Sequence, residues 1–159
     1  MDEPRDLPTR VADARAKLAT PAVDGWVATA APDGVAHLVP LSLAWVRERI
    51  VLAVSASSLT ARNLRATGRA RVGLGPTRDV VMVDAVLEES TDAAAGTAWA
   101  DAFAEQTDWD PRGEQGYLVL VLRPTRMQAW REGNEIPGRT VMRDGQWLDG
   151  PPDADGTES

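Results

Sequence analysis

The chain has 159 residues, 43% hydrophobic and 26% charged, proportions that give one globular unit a core of its own and leave little room for a second domain. Its formal net charge of −7 excludes a broadly basic nucleic-acid-binding face, and no apolar run approaches the roughly 18 residues of a membrane span. With no cysteine and one histidine, disulfides, thiolate metal sites and cysteine nucleophiles are excluded, and a serine–histidine triad would have to use His37.

The opening MDEPRDLPTR carries no apolar signal core, and the cytoplasm is the expected location. Residues 8–19 place Pro8 in a first turn and Val11, Ala14 and Leu18 at spacings of three and four, which predicts an amphipathic helix. After the turn residues Asp24-Gly25, strands are expected at 26–30 and 35–46, joined through Pro32-Asp33-Gly34 as a hairpin. The polar turn Arg47-Glu48-Arg49 leads to the apolar run 50–54, a strand buried on both faces. Ser57 and Ser58 stand before a short helix over 59–66, and Gly68 stops it. Strands at 70–74 and 80–87 flank the turn Gly75-Pro76-Thr77-Arg78, and residues 91–106 read as a helix. The stretch Asp108-Trp109-Asp110-Pro111-Arg112-Gly113 ends that helix before a buried strand at 117–122 that runs on towards Trp130. Short strands at 140–142 and 146–148 close a domain spanning 1–148, and the acidic, proline- and glycine-rich residues 149–159 are expected to be a disordered tail. Many short strands with few helices make the fold class mainly β with flanking helices, a barrel rather than alternating βα units.

Five arginines, Arg62, Arg65, Arg69, Arg71 and Arg78, crowd the 17 residues from 62 to 78. A strand feeding a helix start that bears hydroxyls, with arginine one or two turns in, is an arrangement that holds phosphate; a solvated helix face and strand edges explain the same residues equally well. Arg71, inside a strand pattern, is the weakest ligand candidate. His37 either points into a site or sits hydrogen-bonded at the barrel surface. Asp79 and Asp84 have an odd spacing that puts them on opposite strand faces, which argues against a catalytic carboxylate pair. Six tryptophans accompany one phenylalanine and one tyrosine. Flat indoles can line a slot for a planar ligand, although Trp26, Trp45 and Trp147 read more simply as packing. Neither a dinucleotide-binding glycine fingerprint nor a P-loop occurs.

The strings Val27-Ala28-Thr29, Gly34-Val35-Ala36-His37-Leu38-Val39-Pro40, Ala61-Arg62-Asn63-Leu64-Arg65 and Pro124-Thr125-Arg126-Met127-Gln128-Ala129-Trp130 occur in an order that resembles the flavin-binding split-barrel superfamily. That group includes pyridoxamine 5'-phosphate oxidase and the F420-dependent reductases, and the resemblance covers roughly residues 8–148. It implies a six-stranded antiparallel split β-barrel and a homodimer whose two cofactor sites are built by both chains. It further implies FMN, or alternatively coenzyme F420, lying along Val39, Pro40, Leu41 and Ser42, beside Ala53 and Val54, and at the helix start Leu59, Thr60 and Arg62. Arg65 and hydroxyls would help hold a phosphate, Asp79 occupies a polar cofactor-contact position, and Trp130 and Arg139 would come from the partner chain. Val39 and Thr60 stand where the oxidases carry an arginine and a lysine for the FMN phosphate. Ala44 replaces a substrate-contacting lysine, and Glu135-Ile136-Pro137 replaces the segment that recognises vitamin B6. The expected activity is therefore hydride transfer between the cofactor and a small organic substrate other than pyridoxamine phosphate. The alternative is a non-catalytic protein that binds flavin, F420 or haem, with His37 the one imidazole for haem.

Overall fold

In the computed structural model, which describes residues 1–150, the sequence signals at helix ends act as local chemistry dictates. The Asp6 carboxylate accepts from the Thr9 amide at 2.9 Å and starts α1 (Leu7–Leu18), which buries Val11, Ala14 and Leu18. Ser58 caps α2 (Leu59–Thr67) through the Ala61 amide, and Gly68, at φ 71°, ends it in the left-handed conformation that glycine adopts without strain. The expected tail lies outside the described residues except for Asp149 and Gly150.

The first hairpin forms as expected: β1 (Asp24–Ala30) and β2 (Ala36–Ser42) pair antiparallel from Asp24↔Ser42 to Ala30↔Ala36. Gly25, however, is a strand residue rather than part of a turn. A Cβ there would meet Leu43 Cδ2 at 2.9 Å, so its bareness is what lets Leu43 pack inside. The strand expected over 35–46 is accordingly two strands. Leu43 is buried, its amide donates to the Val23 carbonyl at 3.1 Å, and β3 (Ala44–Val46) leaves β1 to pair with β4 (Arg49–Ser55).

The remaining strands are β5 (Arg69–Leu74), β6 (Val80–Asp92), β7 (Tyr117–Trp130), β8 (Thr140–Arg143) and β9 (Gln146–Trp147). The helix expected over 91–106 begins later. β6 stays paired with β7 as far as Asp92↔Leu118; a 3-10 turn at Ala93–Ala95 and Gly96, at φ 64°, follow before Thr97 caps α3 (Ala98–Gln106). Cross-strand pairing thus holds Thr91 and Asp92 extended, and Gly96 separates the short turn of alanines from the helix proper.

The ladder order is β2-β1-β5-β6-β7-β4-β3, with β8 added to β7 and β9 to β8. Its two edges, β2 and β3, are separated in sequence by Leu43 alone, so the sheet must curl until they meet. That junction is crossed by chain and not by ladder hydrogen bonds, which makes the fold an antiparallel split barrel. The described residues hold nine strands: the six barrel strands that the resemblance implies become seven where Leu43 divides one, and β8–β9 is the closing pair of short strands expected at 140–142 and 146–148. The barrel interior packs Leu18, Val27, Leu52, Leu64, Val72 and Leu120, while a smaller cluster of Ala53, Phe103 and Val119 lies under α3. Among the described residues no helix is long and apolar enough to cross a membrane.

Candidate functional site

The split leaves β2 as an edge strand with one row of backbone groups outside the ladder, and a cavity of about 520 Å³ opens there against β4 and the start of α2. β2 lines it with Val39, Pro40, Leu41 and Ser42, β4 with Ala53 and Val54, and α2 with Leu59 and Thr60. These positions, 39 to 60 in sequence, come together because the barrel closes β2 onto β4 and the α2 cap follows β4 directly. Volume and lining chemistry, mostly apolar with a few polar groups, fit a small-molecule or cofactor site.

His37, Ser55, Ser58, Trp109 and Tyr117 complete the lining. The two aromatic residues were not expected there; they arrive from the loop after α3 and the start of β7. Their rings meet edge to face at 5.4 Å, and Trp109 meets the buried Phe103 in the same way at 6.0 Å. The only sequence signal for this wall was the break at Asp108-Trp109-Asp110, which locates a loop but not where it packs. His37, left open between two readings, turns into the cavity.

Hydroxyls gather at the α2 end. Ser55 and Ser57 Oγ atoms are 3.0 Å apart, Ser58 Oγ accepts from the Ala61 amide at 3.1 Å, and Thr60 is only 2% exposed. The Thr60 hydroxyl makes none of the hydrogen bonds found among the described residues, and the first amides of α2 have no intrahelical acceptor. This end of the cavity therefore offers donors to an oxyanion.

The other expected site residues lie elsewhere in the single chain. Arg62 and Arg65 stand on the exposed side of α2 and do not line the cavity. Asp79 is taken up by Lys17 at 2.9 Å, Arg131 at 3.4 Å and Arg5 at 3.8 Å. Burial pushes its pKa up, but the Lys17 ammonium and the two guanidinium groups outweigh this and hold it below the ordinary value. Glu135 is likewise consumed by structure: the Arg5 guanidinium holds its carboxyl down at about 2, against the opposing effect of burial.

Trp130 and Arg139 share the barrel's outer face, where the guanidinium lies 5.4 Å from the indole centroid. Trp130 borders a second groove, about 480 Å³, with Trp26, Leu38 and Met82. Trp26 and Leu38 are 55% and 61% exposed, so Trp26 packs into no core of this chain. Trp45 and Trp147, by contrast, meet edge to face at 6.4 Å and pack against the barrel interior as expected.

No protein-family model and no curated protein sequence matches the chain. Solved structures do. An F420 reductase superposes with a TM-score of 0.61 at 20% identity, over 71% of this chain and 94% of the other. An FMN-binding protein from Syntrophomonas wolfei superposes at 0.60 and 14% identity, over 77% and 86%. A heme binding protein from Mycobacterium smegmatis superposes at 0.60 and 23% identity, over 91% of this chain and 60% of the other. The fold of this chain is the split barrel that these cofactor-binding proteins share.

Proposed function

We propose that this chain is an oxidoreductase that holds FMN, or alternatively F420, in the cavity between β2, β4 and α2, and works on a small organic substrate other than pyridoxamine phosphate. The observation that carries this reading is the cavity itself, since Val39 to Ser42, Ala53, Val54, Leu59 and Thr60 border one space. Similarity to an F420 reductase and an FMN-binding protein supports it. A bound flavin or deazaflavin supplies the hydride chemistry. The protein's part is to bind, orient and shield. β2 offers edge amides and carbonyls to a ring, Ala53 and Val54 leave room for it, and Trp109 and Tyr117 give a rigid apolar wall. A phosphate would be held by the α2 amides and the Thr60 and serine hydroxyls, because no arginine or lysine lines the cavity. That lack of a cation is what keeps F420 beside FMN as a candidate.

The test is a parallel titration of ligand-free protein with FMN and with F420, read by fluorescence. Micromolar or tighter binding of one is expected, and failure of both overturns the reading. Thr60→Val, which keeps the shape and removes the hydroxyl, weakens binding about tenfold if that hydroxyl donates to a charged oxygen. Non-catalytic haem binding is the second reading, favoured by His37 in the cavity and by the similarity to a heme binding protein. A hemin-induced Soret shift that disappears in His37→Ala, with no flavin binding, would establish it.

The same proposal includes a homodimer joined through the outer face around Trp26, Leu38, Met82 and Trp130. Large side chains exposed to this degree on neighbouring strands favour burial against a copy of the same surface. Sedimentation equilibrium should give a dimer for the parent and a monomer for Trp26→Glu/Leu38→Glu. The double variant should also bind cofactor weakly, since Trp130 and Arg139 would then be missing from the partner's site.

A further inference from the structure

The outer face of β5, β6 and β7 divides into an apolar half and a basic half. Strand register sets Arg71, Asp84 and Arg126 in one row across three strands, and Arg69, Val86 and Arg123 in the next. Arg69, Arg71, Arg123 and Arg126 are all exposed: on β5 and β6 alternation does this, since Ala70 and Ala85 face the core, and on β7 the bulge opposite Asp84 and Ala85 brings Arg123 and Arg126, three residues apart, to the same side. Neighbouring strands are about 4.8 Å apart and Arg69 and Arg71 about 6.7 Å apart along β5, so four guanidinium stems rise from a compact patch. Asp84 supplies the one carboxylate, 3.2 Å from Nε of Arg71. Among the described residues Arg69, Arg123 and Arg126 form no ion pair, whereas most other cations of the chain do.

This clustering runs against the composition, for a chain with 24 carboxylates and 17 basic residues has counter-ions to spare. Unpaired like charges at such spacing repel, and that repulsion is relieved when an anion sits among them. The patch also has a receptacle. A depression of about 660 Å³ runs beside Arg69 and Arg71, floored by the small Ala28, Ala30 and Ala36, with Thr125 at its far side. It shares no lining residue with the cavity at α2.

We propose that this depression is a second ligand site, for a small polyanion carrying at least two oxyanion groups, phosphates or carboxylates, gripped by Arg69 and Arg71 and drawn in by Arg123 and Arg126. The planar forks of Arg69 and Arg71 suit oxyanions a few ångströms apart, and the alanine floor lets a ligand approach the sheet closely. Asp84 orients Arg71 and sets a minimum affinity, rejecting single weak anions that cannot offset its charge. The site goes beyond the cofactor reading and adjoins the proposed dimer face, sharing Ala28 and Arg71 with the groove beside Trp130.

The test is isothermal titration calorimetry of the full chain at low ionic strength with pyrophosphate and, separately, with citrate. One site per chain is expected, with Arg69→Ala and Arg126→Ala each weakening binding about tenfold. Neither residue has a carboxylate partner to orphan, and thermal melts check that both variants stay folded. Arg112→Ala, whose partners Asp101 and Asp110 lie elsewhere, should bind like the parent. Pyrophosphate alone binding identifies a phosphate ligand, citrate alone a carboxylate, and both a general oxyanion site. Absence of binding by either, or equal affinity in Arg69→Ala and Arg112→Ala, overturns the proposal. FMN or F420 titration of Arg69→Ala separates this site from the α2 cavity, because cofactor affinity there should not change.

Discussion

Replacing Glu135 by glutamine should lower the unfolding free energy by about 3–5 kcal/mol, read from urea denaturation, the range for a buried ion pair broken on one side. Glu135 Oε2 accepts from the Arg5 amide at 2.8 Å and from Arg5 Nε at 3.0 Å, and Oε1 accepts from an Arg5 terminal nitrogen at 2.7 Å and the Arg131 amide at 2.8 Å. Arg10 adds a bond to the Glu135 carbonyl at 2.9 Å, and the Arg5 and Glu135 side chains are 7% and 3% exposed. Glutamine keeps the size but turns an NH2 group towards these donors and leaves the Arg5 charge buried with less compensation. The acid limb carries the same information. A carboxyl held at about 2 when folded, against 4.5 ordinarily, contributes stability that is complete above pH 4.5 and is lost as pH falls through 2. The parent should therefore lose stability steeply across that window while Glu135→Gln loses less there, so the two curves converge at low pH. The loop holding Glu135 leads into Arg139, whose guanidinium lies over the Trp130 ring.

That clamp also explains why part of the site could not be read from the sequence. Asp79 and Glu135 sit at positions where a resemblance assigns contacts with cofactor or substrate, and within this chain both carboxylates pair with cations more than 60 residues away in sequence, Asp79 with Lys17 and Arg5, and Glu135 with Arg5 and, at 3.8 Å, Arg10. A string of residues does not display such pairings. Features decided within one turn were legible: Pro8 in a first helical turn, the hydroxyl of Ser58 at a helix start, Gly68 as a stop, Pro32-Asp33-Gly34 as a hairpin turn. Features decided by closure of the barrel were not. Leu43 breaks a strand-like run because Gly25 leaves it space, and residues 91–92 stay extended because β7 offers partners. The β2, β4 and α2 positions were legible only through the resemblance, since nothing in the spacing of residues 39 to 60 says that they surround one cavity. For Trp109 and Tyr117 the sequence marked only the loop break and a strand start, because their place in the cavity wall depends on how α3 docks.

That docking yields the second large prediction. Phe103→Ala should cost about 3–5 kcal/mol, as expected for a fully buried phenylalanine, and should also weaken cofactor binding although Phe103 does not line the cavity. Phe103 braces Trp109 edge to face with ring planes 81° apart, and Trp109 braces Tyr117 at 76°. The Thr107 hydroxyl, bonded at 2.9 Å to the carbonyls of both Phe103 and Trp109, ties the helix end to the loop. Removing the ring leaves Trp109 without its support on one side, and the wall facing the cavity loses the rigidity that makes an aromatic surface a good binding partner. Phe103→Leu separates the two effects: it restores most of the volume and stability but not the edge-to-face contact. If binding to Phe103→Leu matches the parent in an FMN or F420 titration, filled volume alone sustains the wall. If binding stays weak while the urea midpoint recovers, the orientation of Trp109 is what the ligand requires, and the cavity's selectivity is set as much by α3 as by β2, β4 and α2.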